Sequence, residues 1–108
     1  DAIVSSLVIH IVATVFTGSD TAGSSCTNPN LAKVSFDSFD VSKQKIVLDV
    51  PALLTQSDIS VNQNSAIGCM SGTTDKECPA VFDTFVLDLL TGKVSTIKTQ
   101  TVFKVINK

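Results

Sequence analysis

The chain has 108 residues, 44% of them apolar and 17% charged, with a formal net charge of −2. That length suits one domain with a single core and is too short for two. The weak charge excludes the electrostatic footprint of a nucleic-acid or anionic-membrane binder. All eight basic residues are Lys, and Arg, Trp and Tyr are absent, so phosphate forks and the usual interface anchors are missing too.

Val, Ile and Leu, six Phe and abundant Thr and Ser favour pleated strands. The composition predicts an all-β domain over 1–108, antiparallel, sandwich-like and immunoglobulin-like, with one long loop. Its most apolar run, "AIVSSLVIHIVATVF" (2–16), puts Leu7, Ile9, Ile11, Ala13 and Val15 on one face of a strand. Val8, His10, Val12, Thr14 and Phe16 take the other face, as in a central sandwich strand. The run has no basic flank and falls short of the roughly 20 residues of a membrane span, so neither a span nor a signal peptide is predicted. Opening on Asp1 without Met, the chain is read as trimmed of an export signal or as part of something longer.

"TGSDTAGSSCTNPN" (17–30) has no periodicity and is predicted to be a surface loop carrying Cys26. "AKVSFDSFDVSKQKIVLDV" (32–50) predicts a hairpin turning around Asp40 to Gln44, with Val34, Phe36 and Phe39 on one strand and Ile46, Leu48 and Val50 on the other. Pro51 starts a single helical turn over 51–57, flanked by Asp49 and Asp58. From Asp58 to Pro79 the chain is polar and punctuated by Gly68 and Gly72, a long loop of the kind that is stapled, functional or disordered. "VFDTFVLDLL" (81–90) reads as a strand, "TGK" (91–93) as a turn, and 93–108 as a last strand or two.

Within the long loop, "GCMSGTTDKEC" (68–78) spaces its cysteines C-x8-C. Structural zinc uses paired C-x2-C elements or Cys with His, and the single His lies more than fifty residues away. No C-x-x-C redox motif is present. The favoured reading is a Cys69–Cys78 disulfide closing a loop of about ten residues, worth on the order of 2–3 kcal/mol in the chain-entropy model. A disulfide places the chain in periplasm, extracellular space or the cell surface.

Cys26 is then left over, and an unpaired or intermolecularly paired thiol is favoured over a soft-metal ligand. His10, the only imidazole, is read as a hydrogen-bonded core residue unless further ligands come from elsewhere. Met70 is read as packing ahead of a thioether ligand for Cu(I). With one His, one Glu (Glu77), scattered Asp and no phosphate-cradling Gly loop, nothing arranges a nucleophile with its base, and the chain is predicted not to be an enzyme.

The succession "KIVLDVPALLTQSDI" (45–59), "NQNSAIGCMSGTTDKEC" (62–78), "VFDTFVLDL" (81–89) and "QTVFKV" (100–105) resembles the C-terminal half of the MbnP family, the metallo-mystery-pair four-cysteine proteins. Upstream, "VIHIVATVF" and the Cys-Asn-Pro-Asn-like loop around Cys26 are similar to that family's His-Leu-Gly-Ser-Thr-Gly-Cys segment and its second cysteine. The resemblance implies an exported, β-rich, copper-associated protein encoded beside a di-haem cytochrome of the MauG or cytochrome c peroxidase kind. In some members that partner oxidises a tryptophan to kynurenine near the copper, and histidines are ligands.

By the same resemblance His10 takes the family's histidine position, Cys69 and Cys78 one disulfide, and Cys26 half of the other. Phe16 stands where the fourth cysteine is expected, Val12 to Val15 replace a Gly-Ser-Thr-Gly turn, and no Trp is available for oxidation. The expectation is a copper site incomplete within this chain, with His10 its leading ligand and Met70 a weaker one. The alternative, from another class, is a cell-surface assembly subunit that joins other chains or copies of itself through strand edges and Cys26.

Overall fold

A computed structural model describes residues 9, 11, 14–19, 23–63 and 67–108. Among them the chain is mostly strand and loop: β1 (Thr14–Ser19), β2 (Gly23–Asn28), β3 (Gln44–Leu48), α1 (Val50–Leu54), α2 (Cys78–Thr84) and β4 (Phe103–Asn107). The strands form two antiparallel ribbons, β1 with β2 and β3 with β4. Most of the central strand predicted over 2–16 lies outside the described residues. Of that segment, Ile9 makes a parallel bridge to Cys69, Ile9 and Ile11 pack half-buried on the core, and Thr14–Phe16 open β1.

The surface loop predicted over 17–30 is instead largely the β1–β2 hairpin, in the register Thr14↔Asn28, Phe16↔Cys26, Thr17↔Ser25, Gly18↔Ser24 and Ser19↔Gly23. Ladder bonds run between backbone groups, so a Ser- and Gly-rich segment can pair without any apolar periodicity to announce it. The hairpin predicted over 32–50 does not form, because β3 pairs with β4 from Leu48↔Phe103 to Gln44↔Asn107. Its turn is nevertheless present and satisfies itself. Lys43 and Gln44 donate their N–H groups to the Asp40 carbonyl at 3.1 and 2.8 Å, and the Asp40 carboxylate accepts from Ser42. The C-terminus then binds that turn, with Lys108 N donating to the Lys43 carbonyl at 2.9 Å.

Helix α1 arises as its sequence predicts. Asp49, in extended conformation, caps it by accepting from Ala52 N at 2.9 Å, and Pro51 sits in the first turn where no donor is missed. Asp49 N also donates to the Val102 carbonyl at 2.7 Å, which ties the start of the helix to the start of β4. Helix α2 corrects the strand predicted over 81–90. Counted from Val81 the apolar residues read as a strand; counted from Cys78 they fall at 78, 81, 82 and 85, the spacing of a helical stripe. Pro79 occupies the first turn, and Cys78, Val81, Phe82 and Thr84 are buried.

The core gathers Leu53 of α1, Val81 and Phe82 of α2, Leu87, Val102 and the two disulfide cysteines, with Phe85 and Phe103 against it. The Phe85 and Phe103 rings stand 6.2 Å apart at 38°, inside the range of favourable aromatic pairs. The predicted turn near 91–93 is built by Asp88, whose carboxylate accepts from Leu90 N, Thr91 N and Thr91 Oγ1, and it closes with a Leu87↔Val94 bridge.

Candidate functional site

The chain between Ser57 and Glu77 stays polar, and its described residues form no helix or strand beyond the single bridge at Cys69. A segment of that kind needs another anchor, and the Cys69–Cys78 disulfide supplies it, with Cα atoms 4.6 Å apart. Both cysteines are out of solvent, at 1% and 0% exposure, so the bond is also part of the core. The predicted staple is therefore present.

Asp75 organises the loop inside the staple. Its carboxylate accepts from Met70 N and from Glu77 N, each at 3.0 Å, while its backbone N donates to the Gly72 carbonyl and its carbonyl accepts from Cys78 N. One side chain thus fixes the residue after the first cysteine and the residue before the second. Sequence reasoning passed over Asp75, although an Asp that accepts from the backbone N–H two residues on is a known turn former. Asp58 closes a similar turn on Ser60 at the loop's beginning, and the Ser60 hydroxyl and N–H hold its carboxyl below the ordinary carboxylate value.

His10 lies outside the described residues, as do 64–66 in the loop. Its chain neighbour Ile9 bridges Cys69, whose own neighbour is Met70, so both candidate ligands follow one bridged pair. Met70 is 38% exposed. Cys26 is a free thiol, half-buried on β2 rather than in a loop, and its register partner on β1 is Phe16.

Among the described residues no group of three or more His, Cys, Asp or Glu could hold a metal ion. The disulfide removes two thiolates from the donor set, leaving Met70 as the soft donor of this region. The described residues therefore do not make a complete copper site by themselves, since copper prefers three or four ligands. No helix among them is long and apolar enough to cross a membrane.

Beside the staple lies a cavity of about 410 Å³ lined by α1, α2 and the loop, with Ile9, Gly68 and Cys69 on its wall. Glu77 and Ser57 also reach it. Neither was a sequence-level candidate, because the cavity exists only where segments distant in sequence converge.

No family model matches the chain, and no curated protein matches it. Among solved structures, MbnP from Methylosinus trichosporium is similar to it with a TM-score of 0.83 and 34% identity, over 92% of this chain. The chain spans 38% of the length of that protein. The resemblance read from the sequence is borne out, and the match is consistent with a C-terminal part of such a protein.

Proposed function

We propose, with the likeness to MbnP as premise, that this chain is part of an exported, copper-associated accessory protein, without enzymatic activity of its own. The observation that carries the reading is 34% identity over 92% of the chain at a TM-score of 0.83. The buried disulfide supports a periplasmic or extracellular setting. In this reading the two ribbons belong to an antiparallel, immunoglobulin-like sandwich. The protein's partner is a di-haem cytochrome of the MauG or cytochrome c peroxidase kind.

His10 and Met70 are the ligands this chain contributes. The bridge between Ile9 and Cys69 supports their pairing, because each candidate directly follows one of the two bridged residues. Remaining donors come from other parts of the longer protein, in keeping with the incomplete donor set described above.

Copper titration followed by metal analysis tests the reading. The native protein is expected to take up copper near one equivalent per chain, with affinity reduced by His10→Ala and less so by Met70→Ala, and unchanged by Cys26→Ala. A native, copper-free preparation that stays empty on titration overturns it.

A further inference from the structure

The β3–β4 ribbon concentrates positive charge in a chain that is acidic overall. Residues 40–49 and 102–108 hold four of the eight lysines against two aspartates, whereas the whole chain has 10 acidic residues and 8 basic ones. The register decides how those lysines are arranged. Lys45 stands opposite Ile106, and Val47 opposite Lys104. Directly opposed residues of an antiparallel pair share a face, and so do residues two apart on one strand. Lys45, Val47, Lys104 and Ile106 therefore occupy one face, with the lysines on one diagonal and the aliphatic residues on the other. The ladder takes one more step, in which Lys108 N donates to the Lys43 carbonyl at 2.9 Å, and it brings those two lysines together at the turn end of the ribbon.

All four lysines and Ile106 are exposed, and Val47 is half-buried. Internal partners neutralise the face only in part. Lys104 pairs with Asp49, Lys43 with Asp40 at 3.4 Å, and Lys108 Nζ donates to the Val41 carbonyl at 2.6 Å. Lys45 has no partner among the described residues. Gathering like charges across adjacent strands costs stability, and carboxylates from outside offset that cost. The aliphatic pair between the lysines separates this face from a general anion site. A free anion or a phosphate backbone makes no use of Val47 and Ile106, and the absence of Arg removes the forked phosphate contact.

We infer that this face of the β3–β4 ribbon docks an extended acidic protein segment, its carboxylates on Lys43, Lys45 and Lys104 and its intervening aliphatic side chains on Val47 and Ile106. Alternation suits the match, because an extended segment and a strand both repeat at about 6.8 Å every two residues. The contact is exposed and ionic, so it steers and selects a partner more than it holds one, and salt weakens it. It does not depend on the copper reading.

The test is a titration of the isotope-labelled protein at neutral pH and low ionic strength, read by amide chemical shifts. The probe is an end-capped octapeptide alternating glutamate and valine, with its glutamine–valine counterpart, inorganic tripolyphosphate and phosphatidylglycerol vesicles alongside. Saturable shifts are expected at Lys45, Val47, Lys104 and Ile106, severalfold weaker at physiological salt. Lys45→Glu should weaken binding by about fivefold to tenfold, since it removes one attraction and adds one repulsion. Lys33→Glu changes net charge equally at an exposed position outside the ribbon and should leave the affinity nearly unchanged. Ile106→Ser should weaken binding severalfold, and Lys45→Gln, with a smaller loss, provides the readout if the charge reversal disturbs the ribbon. Absence of saturable shifts, equal binding of the glutamine peptide, or equal losses in Lys45→Glu and Lys33→Glu overturns the inference. Tripolyphosphate or vesicles that match the peptide overturn it as well, because the face would then be a general anion site. Copper uptake is expected to be unaffected by Lys45→Glu, so the two proposals fail separately.

Discussion

Among the residues with left-handed backbone conformations, Gly92 and Val86 adopt them for opposite reasons. Gly92, at φ +65°, ends the Asp88 turn where the chain passes against β2 and the segment after it. A Cβ there would lie 2.3 Å from Asn30 Oδ1 and 3.0 Å from Asn28 Cβ, in a place where Asn30 N already donates to the Gly92 carbonyl at 3.1 Å. Gly92→Ala combines backbone strain with that clash and is expected to cost about 2 kcal/mol or more, measured by urea unfolding. Val86, at φ 62°, follows the C-cap of α2, where Gly or Asn is usual. Its N donates to the Asp83 carbonyl, its carbonyl accepts from Ser95 N, and its buried side chain packs. Those contacts hold a β-branched residue where the backbone alone would not put it.

Among the elements, the β1–β2 hairpin gives the missing cysteine a position. Phe16 and Cys26 are register partners, and antiparallel partners stand about 4.5–5.5 Å apart at Cα, within reach of a disulfide. Phe16→Cys is therefore expected to oxidise with Cys26, abolish the free thiol in a thiol titration, and raise stability by about 2–3 kcal/mol for a loop of roughly ten residues. Two titratable thiols in the oxidised variant would show that the register is different.

How far the elements could be read in advance depended on how local their signals were. Asp49 with Pro51 announced α1, Asp40 to Gln44 announced a turn, and the C-x8-C spacing without a second histidine announced the staple. The β3–β4 pairing left no such trace, because Leu48 and Phe103 meet only through the tertiary fold. Helix α2 was legible in principle, but the window began at Val81 and so omitted Cys78, which completes the stripe. The site was legible only as far as single residues: Met70 and the cysteines could be named, and Asp75, whose bonds to Met70 and Glu77 are local, carried a turn signal, whereas the cavity lined by Ser57 and Glu77 follows from convergence of distant segments.

At the scale of the whole molecule, acid sensitivity among the described residues is distributed over five aspartates, each with its carboxyl held below the ordinary value by a hydrogen bond. The leading donors are the Ser42 hydroxyl for Asp40, Lys104 for Asp49, the Ser60 hydroxyl for Asp58, Lys98 for Asp83 and the Thr91 hydroxyl for Asp88. A carboxyl depressed in the folded state stabilises fully above the unfolded value, about 4, and that contribution fades as pH falls through the lower folded values. The contribution of these groups is thus constant from pH 7 to about 5 and lost below about 4. Thermal midpoints measured over that range should show the fall, and Asp49→Asn should make it shallower.

The burial of the Cys69–Cys78 bond also bears on its lifetime. With both residues essentially sealed from solvent, a reductant meets the sulfurs only when the core around Phe82 and Val102 comes apart. Loss of the bond should therefore keep time with that opening, and its rate should level off as dithiothreitol is raised, instead of climbing in proportion. Oxidation state then becomes something the molecule acquires while folding and afterwards retains, largely indifferent to passing changes in the thiol balance around it.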